Sequence, residues 1–302
     1  MSKSTSATLG ILFVAFIWGV EFVLIHNAIK ILEPHSFNAI RFGVASLFIG
    51  LCALVWKTRG GFNWRMVSHG CLLGLLLYLG FSLQTFGLLY TSVSNCAFIT
   101  SLNVVLVPVV AIFLQGERPR LFTVIGVSVA AAGLYFLTAE GATPFNIGDL
   151  LTLICAVMFA LHIVYTGKYS RQHHALPLIL VQLLAVSVFS FTSALVFEDW
   201  QRLLEIKIIG DPNVLLAILI ASILGTGLAI MVQTLAQGHL GSTRVAMIFT
   251  LEPVFAAMTA FLVLNEQLPA AAGFGAGMIL TGIVLAEWKP MEDKKAVSTV
   301  GK

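Results

Sequence analysis

The chain has 302 residues, of which 58% are hydrophobic and 10% charged, with a net charge of +3 and a mean hydropathy of +0.96. A soluble domain carries roughly 25% charged residues, so this composition excludes an ordinary water-exposed globule and points to a surface that faces lipid. The small net charge and the lack of a basic patch interleaved with aromatics argue against a nucleic-acid partner.

A spanning helix needs about 20 apolar residues, and ten segments approach that length. They run near 8–29, 35–56, 68–89, 93–114, 120–138, 148–167, 175–197, 213–235, 243–264 and 269–287. The first is too long for a signal-peptide core and has no small-residue cleavage site, so it reads as a retained helix. The links between segments are short and hold most of the charge, so consecutive helices are expected to be antiparallel neighbours. With the N-terminus inside, thirteen lysines and arginines fall on the cytoplasmic side. Three (Lys30, Arg202, Lys207) fall outside, and Arg41 lies within a span. That bias places both termini in the cytoplasm. Cys52, Cys71, Cys96 and Cys155 all sit in apolar runs without Cys-x-x-Cys spacing, and read as spectators.

The chain also resembles itself. At a shift of 141, Lys30 falls on Arg171, Ser46 on Ser187, Phe48 on Phe189, and Ala53-Leu54-Val55 on Ala194-Leu195-Val196. At a shift of 149, Ala97 falls on Ala246, Leu102 on Leu251, Glu117 on Glu266, Gly126 on Gly275 and Gly133 on Gly282. The difference between the shifts is absorbed near 198–212. The expected organisation is a first repeat over 1–140, a second over 141–290, and a cytoplasmic tail over 291–302. Five spans per repeat is an odd number, so the second copy enters the bilayer upside down. Inverted repeats rocking about a midplane site are a plan of secondary transporters.

On Trp18-Gly19, Asn38-Ala39-Ile40-Arg41-Phe42, Leu251-Glu252-Pro253-Val254-Phe255-Ala256-Ala257, Asn265-Glu266 and the glycines at 273, 275, 277 and 282, the chain resembles the drug/metabolite transporter superfamily. Within it, the resemblance is to the EamA-type members with two five-helix repeats, and it covers nearly the whole chain. It implies an all-α polytopic carrier, typically an exporter of amino acids or other metabolites that works without ATP hydrolysis. In the first repeat Val104 replaces the Pro253 of the second. Glu21 departs from the small or neutral residues usual after the Trp-Gly pair.

Ionisable residues inside a span are costly and are functional candidates by default. Glu21 and Arg41 lie eight and six residues from the external ends of their helices. At 1.5 Å per residue their depths differ by ~3 Å, so they can pair. Glu21 can bind a proton or an amine, with Arg41 setting its acidity or holding a carboxylate; the alternative is a structural pair. The 141-residue shift carries Glu21 onto His162 and Arg41 onto Gln182, and the 149-residue shift carries Asn103 onto Glu252. An imidazole can change charge near neutral pH, so Glu21 and His162 together suggest proton coupling. Pro253 is expected to loosen the helix beside Glu252. Trp18, and Phe159 at its repeat position, lie one turn before Glu21 and His162, where aromatic walls suit a cationic or aromatic solute. Gln84, Asn95, Gln233 and Gln237 read as interhelical glue, and Gly273, Gly275 and Gly277 as points of close helix approach.

No phosphate cradle with a GK[ST] motif is present, and the His173-His174 pair and His239 make only a weak metal motif. Neither a cofactor nor a metal is expected. The partners are a small-molecule substrate and the lipid bilayer, with one chain sufficient. The reading is a plasma (inner) membrane carrier exporting a small metabolite such as an amino acid, with proton coupling as a further expectation. Multidrug efflux and metabolite uptake are its rivals within transport. A membrane-embedded enzyme using Glu21, His162 and Glu252 as acid/base groups is the rival of another class.

Overall fold

The computed structural model describes residues 3–56, 62–116, 120–138, 146–201, 205, 211–264 and 270–287. Glu117, Asn265, Glu266, the tail 291–302 and several of the loop cations counted above lie outside the described residues. Within them the chain is helical and contains no strand. The helices are α1 (Lys3–Ala28), α2 (Pro34–Val55), α3 (Trp64–Gly87), α4 (Val93–Ser101), α5 (Asn103–Gln115), α6 (Leu121–Thr138), α7 (Ile147–Tyr169) and α8 (Ala175–Phe197). They continue with α9 (Pro212–Ser222), one π-helical turn (Ile223–Leu228), α10 (Ala229–Gln237), α11 (Ser242–Phe249), α12 (Glu252–Leu264) and α13 (Ala270–Glu287).

Among the described residues, eight spans are long and apolar enough to cross a bilayer, with α4–α5, α9–α10 and α11–α12 each forming one of them. α6 and α13 have 18 residues each, about 27 Å at 1.5 Å per residue, near the lower limit for a crossing. Large apolar side chains such as Leu54, Phe113, Phe197 and Leu262 are exposed on the outside of the bundle, where lipid is the only solvent that suits them. This is an all-α polytopic membrane protein.

Three expected spans are not uniform helices. α4 gives way to α5 at Leu102, and α11 to α12 at Thr250-Leu251, where amides reach back only three residues (Leu102 to Ile99, Thr250 to Met247, Leu251 to Ile248). Leu102 and Leu251 are repeat equivalents, so the same tightened turn recurs in both halves. Proline does not create it: Val104 stands in the first half where Pro253 stands in the second. The third irregularity is the π turn between α9 and α10.

Helix pairing carries the repeat into three dimensions. α2 packs on α8 and α6 on α13, each helix against its own repeat equivalent. A side-chain carbon on Gly126 would meet the Gly282 carbonyl at 2.5 Å and the Ala286 amide at 2.6 Å, while one on Gly133 would meet the Gly275 carbonyl at 2.7 Å and the Ile279 amide at 2.9 Å. Early residues of α6 therefore face late residues of α13, so these equivalent helices run antiparallel. A carbon on Gly282 would in turn meet the Gly126 carbonyl and the Ala130 amide, the contact that the 149-residue shift generates from that of Gly133. α2 and α8 are also antiparallel: Ser187 Oγ donates to the Ala39 carbonyl at 3.1 Å, and Glu198, after α8, accepts from the first amides of α2, His35 (2.6 Å) and Ser36 (2.8 Å).

The glycine expectation is corrected in part. Gly275 is buried at the crossing, but a side chain on Gly273 or Gly277 would meet nothing within 4 Å. At 100° per residue, 275 and 282 share a face, and 273 and 277 turn away from it.

Candidate functional site

The bundle centre holds a recess of about 550 Å³ including its open mouth. Fourteen of its sixteen lining residues form seven repeat pairs. By the 141-residue shift these are Trp18 with Phe159, Glu21 with His162, and Phe22 with Ile163. By the 149-residue shift they are Phe81 with Ile230, Gln84 with Gln233, Thr100 with Phe249, and Asn103 with Glu252. Ile25 and Leu77 complete the wall. Both halves thus supply the same backbone positions to one cavity.

The chemistry at those positions differs between halves. Glu21 is 3% exposed and Arg41 1%, and Arg41 Nη2 donates to Glu21 Oε1. Arg41 does not line the recess but stands behind Glu21. Its Nε donates to Thr226 Oγ1 at 2.6 Å, and its guanidinium lies 4.7 Å from the Phe81 ring centre, a cation–π contact. The π turn makes this arrangement possible. It offers the Thr226 hydroxyl to Arg41 and the Gly225 carbonyl to Trp18 Nε1, at 2.7 Å. A side chain on Gly225 would overlap the Glu21 carboxylate unless that carboxylate moved.

The equivalent pair in the other half is uncharged in Gln182. His162 is 2% exposed, and its Nε2 lies 3.1 Å from Gln182 Oε1 and 3.2 Å from Thr166 Oγ1. Gln182 also stands behind the wall. Glu252, 6% exposed, opens α12, and its backbone packs on α1 at Gly19. Asn103 opens α5, which packs on α7. The carboxyls of Glu21 and Glu252 therefore belong to one packed helix pair, and His162 and Asn103 to its repeat-related counterpart. Glu252 has no hydrogen bond or ion pair among the described residues, and Asn103 Oδ1 and Gln233 Oε1 are buried without partners.

Of the sequence candidates, Trp18, Glu21, Asn103, His162 and Glu252 come together at the recess, with Arg41 and Gln182 one step outside it. Gln84 and Gln233, read as glue, line it as well. Gln84 Nε2 donates to Thr100 Oγ1 at 3.2 Å across helices, whereas Gln233 Nε2 donates to Gln237 Oε1 at 3.2 Å within its own helix. Phe22, Phe81, Thr100, Phe249 and Ile230 went unnoticed in the sequence, although the repeat register alone pairs most of them. Away from the centre, His173 Nε2 is 2.8 Å from His69 Nδ1 rather than grouped with His174 or His239. Among the described residues no three potential metal ligands converge. All four cysteines are free thiols.

Comparison with known proteins agrees with this architecture. The profile of the EamA-like transporter family matches twice, over residues 5–139 and 146–288. An uncharacterized transporter of Archaeoglobus fulgidus is 35% identical over 283 residues, 94% of this chain and 86% of that protein. An uncharacterized transporter of Bacillus subtilis is 27% identical, covering 97% and 95% of the two chains. A probable amino-acid metabolite efflux pump of Escherichia coli is 21% identical, covering 91% and 92%. A crystal structure at 20% identity superposes with a TM-score of 0.76 over 94% of this chain and 96% of that one, and shares the fold.

Proposed function

The chain belongs to the EamA-like transporter family, and from that premise we propose that it is a proton-coupled secondary exporter of a small amphipathic metabolite. The two repeats, over 1–140 and 141–290, rock about the central recess and open it to each side in turn. The observation that carries this reading is the recess itself, lined pair by pair from antiparallel halves, with buried polar groups at its centre. The relative named as an amino-acid metabolite efflux pump makes amino-acid-like solutes the first class to test. Solute is bound at Trp18, Glu21, His162, Asn103 and Glu252, with Arg41 holding Glu21 and Gln182 holding His162. The chain works as a monomer in the plasma membrane with both termini cytoplasmic, as the lysine and arginine bias supports.

The test is flux in proteoliposomes under an imposed pH gradient. Uptake into vesicles that follows the gradient and collapses with a protonophore is expected. Chemical conversion of a solute without its movement would instead favour the membrane-embedded enzyme.

A further inference from the structure

We infer that the recess is a site for one monovalent organic cation, received by Glu252 in exchange for one proton. The inference rests on the carrier reading and narrows its substrate class.

The argument begins with charge. Three side chains at the centre carry formal charge: Glu21, Glu252 and Arg41, with the imidazole of His162 taken as uncharged at neutral pH. Arg41 is held by Glu21, Thr226 and the Phe81 face and is not among the residues that line the recess. It therefore cancels Glu21 and leaves one carboxylate, Glu252, without a counter-charge. A buried charge without a partner is expensive, so Glu252 holds either a proton or a cation. The other groups that face it are Glu21 from α1, with Arg41 behind it, buried Cys96 from α4, and Cys155 and His162 from α7. None of these offers a positive partner.

Hydrogen-bonding capacity agrees with the charge. Glu21 Oε2, Asn103 Oδ1 and Gln233 Oε1, all on lining residues, are buried acceptors without donors among the described residues, and a primary ammonium brings three N–H donors and no acceptor. Trp18, Phe81, Phe159 and Phe249 supply the apolar and aromatic faces that suit its organic body. A carboxylate on the same solute would be poorly placed, because no lysine or arginine is among the lining residues. In the exchange the Glu252 O–H bond breaks, its proton leaves to the water that the recess then faces, and the carboxylate pairs with the ammonium. One cation moves against one proton, with no net charge transferred.

Isothermal titration of the purified full chain with phenethylamine, phenylalanine and phenylacetate, in two buffers of different ionisation enthalpy at pH 7, tests the inference. The expected result is binding of phenethylamine with about one proton released, and affinities for the other two at least roughly ten-fold weaker. Glu252→Gln should abolish proton release and weaken amine binding by roughly thirty-fold or more, while Glu252→Asp, which keeps the charge, retains both. Phenylalanine binding as tightly as the amine, or amine binding without proton release in the unmodified chain, overturns the inference whether or not the variants fold. The same solutes in proteoliposomes separate the two claims. Phenylalanine flux without amine flux removes the cation assignment and leaves the carrier, whereas binding of the amine with no flux of any solute removes the carrier and leaves the site.

Discussion

The α1–α12 side of the recess and its repeat-related α7–α5 side are built on the same backbone positions but carry different charge. One presents Glu21, backed by Arg41, beside Glu252; the other presents His162, backed by Gln182, beside Asn103. The crossings that hold the halves together show no such divergence: Gly133 against Gly275 and Ile279 is repeated as Gly282 against Gly126 and Ala130. Symmetry is retained where helices must approach closely and relaxed at the central recess. The scaffold is therefore a constraint of packing in lipid, where small residues let backbones touch, and the polar centre is free to specialise.

The largest contrast should appear between Arg41 and Gln182. Arg41→Gln strands Glu21 as a buried charge, a loss of about 3–5 kcal/mol, and should reduce folded protein in size-exclusion profiles. Gln182→Leu removes a neutral hydrogen bond and should cost about 1 kcal/mol. Adding Glu21→Gln to Arg41→Gln should recover most of the loss, and equal costs for Arg41→Gln and Gln182→Leu would erase the distinction between the two sides.

The symmetric crossing makes the opposite prediction. Gly133→Ala and Gly282→Ala each drive a methyl into backbone, so thermal denaturation should show similar losses of about 1–3 kcal/mol; a loss confined to one would deny the symmetry. A smaller effect is expected at the end of the bundle where Glu198 caps α2. Glu198→Ala should cost about 1 kcal/mol without changing solute affinity at the centre. The smallest concerns the His69–His173 contact. Burial, and then the nearby Arg65, hold His173 below the ordinary imidazole range. The folded chain therefore resists a proton that the unfolded chain accepts. The associated stability is complete above about pH 6.5, the unfolded value, and is lost as pH falls below it. A melting point that falls toward pH 5, and falls less in His173→Gln, is the expected pattern.

Much of this was legible in the sequence. Apolar length exposed the spans, and the two shifts exposed the repeat, because lipid leaves few alternatives to a helix. The Glu21–Arg41 pairing followed from depth alone. The π turn was not legible, since Ile223–Leu228 is as apolar as its neighbours and only contact with Trp18 and Arg41 explains it. The turns at Leu102 and Thr250-Leu251 were obscured by attributing a kink to Pro253 when Val104 permits the same one. The glycines at 273 and 277 misled because spacing does not reveal which helix face meets a partner. Phe81 and Phe249 looked like ordinary core residues, as aromatics in apolar runs do.

The central claim is that one recess opens to opposite sides in turn, and accessibility from each side tests it most directly. Ile25, toward the C-terminal end of α1, and Ile163, beyond the middle of α7, both line the recess. Each can be replaced by cysteine in a background where Cys52, Cys71, Cys96 and Cys155 are serine or alanine. With a membrane-impermeant thiol reagent, saturating solute should raise labelling of one position from its own side while lowering labelling of the other from the opposite side. Labelling of both from a single side, unchanged by solute or pH, would contradict the account.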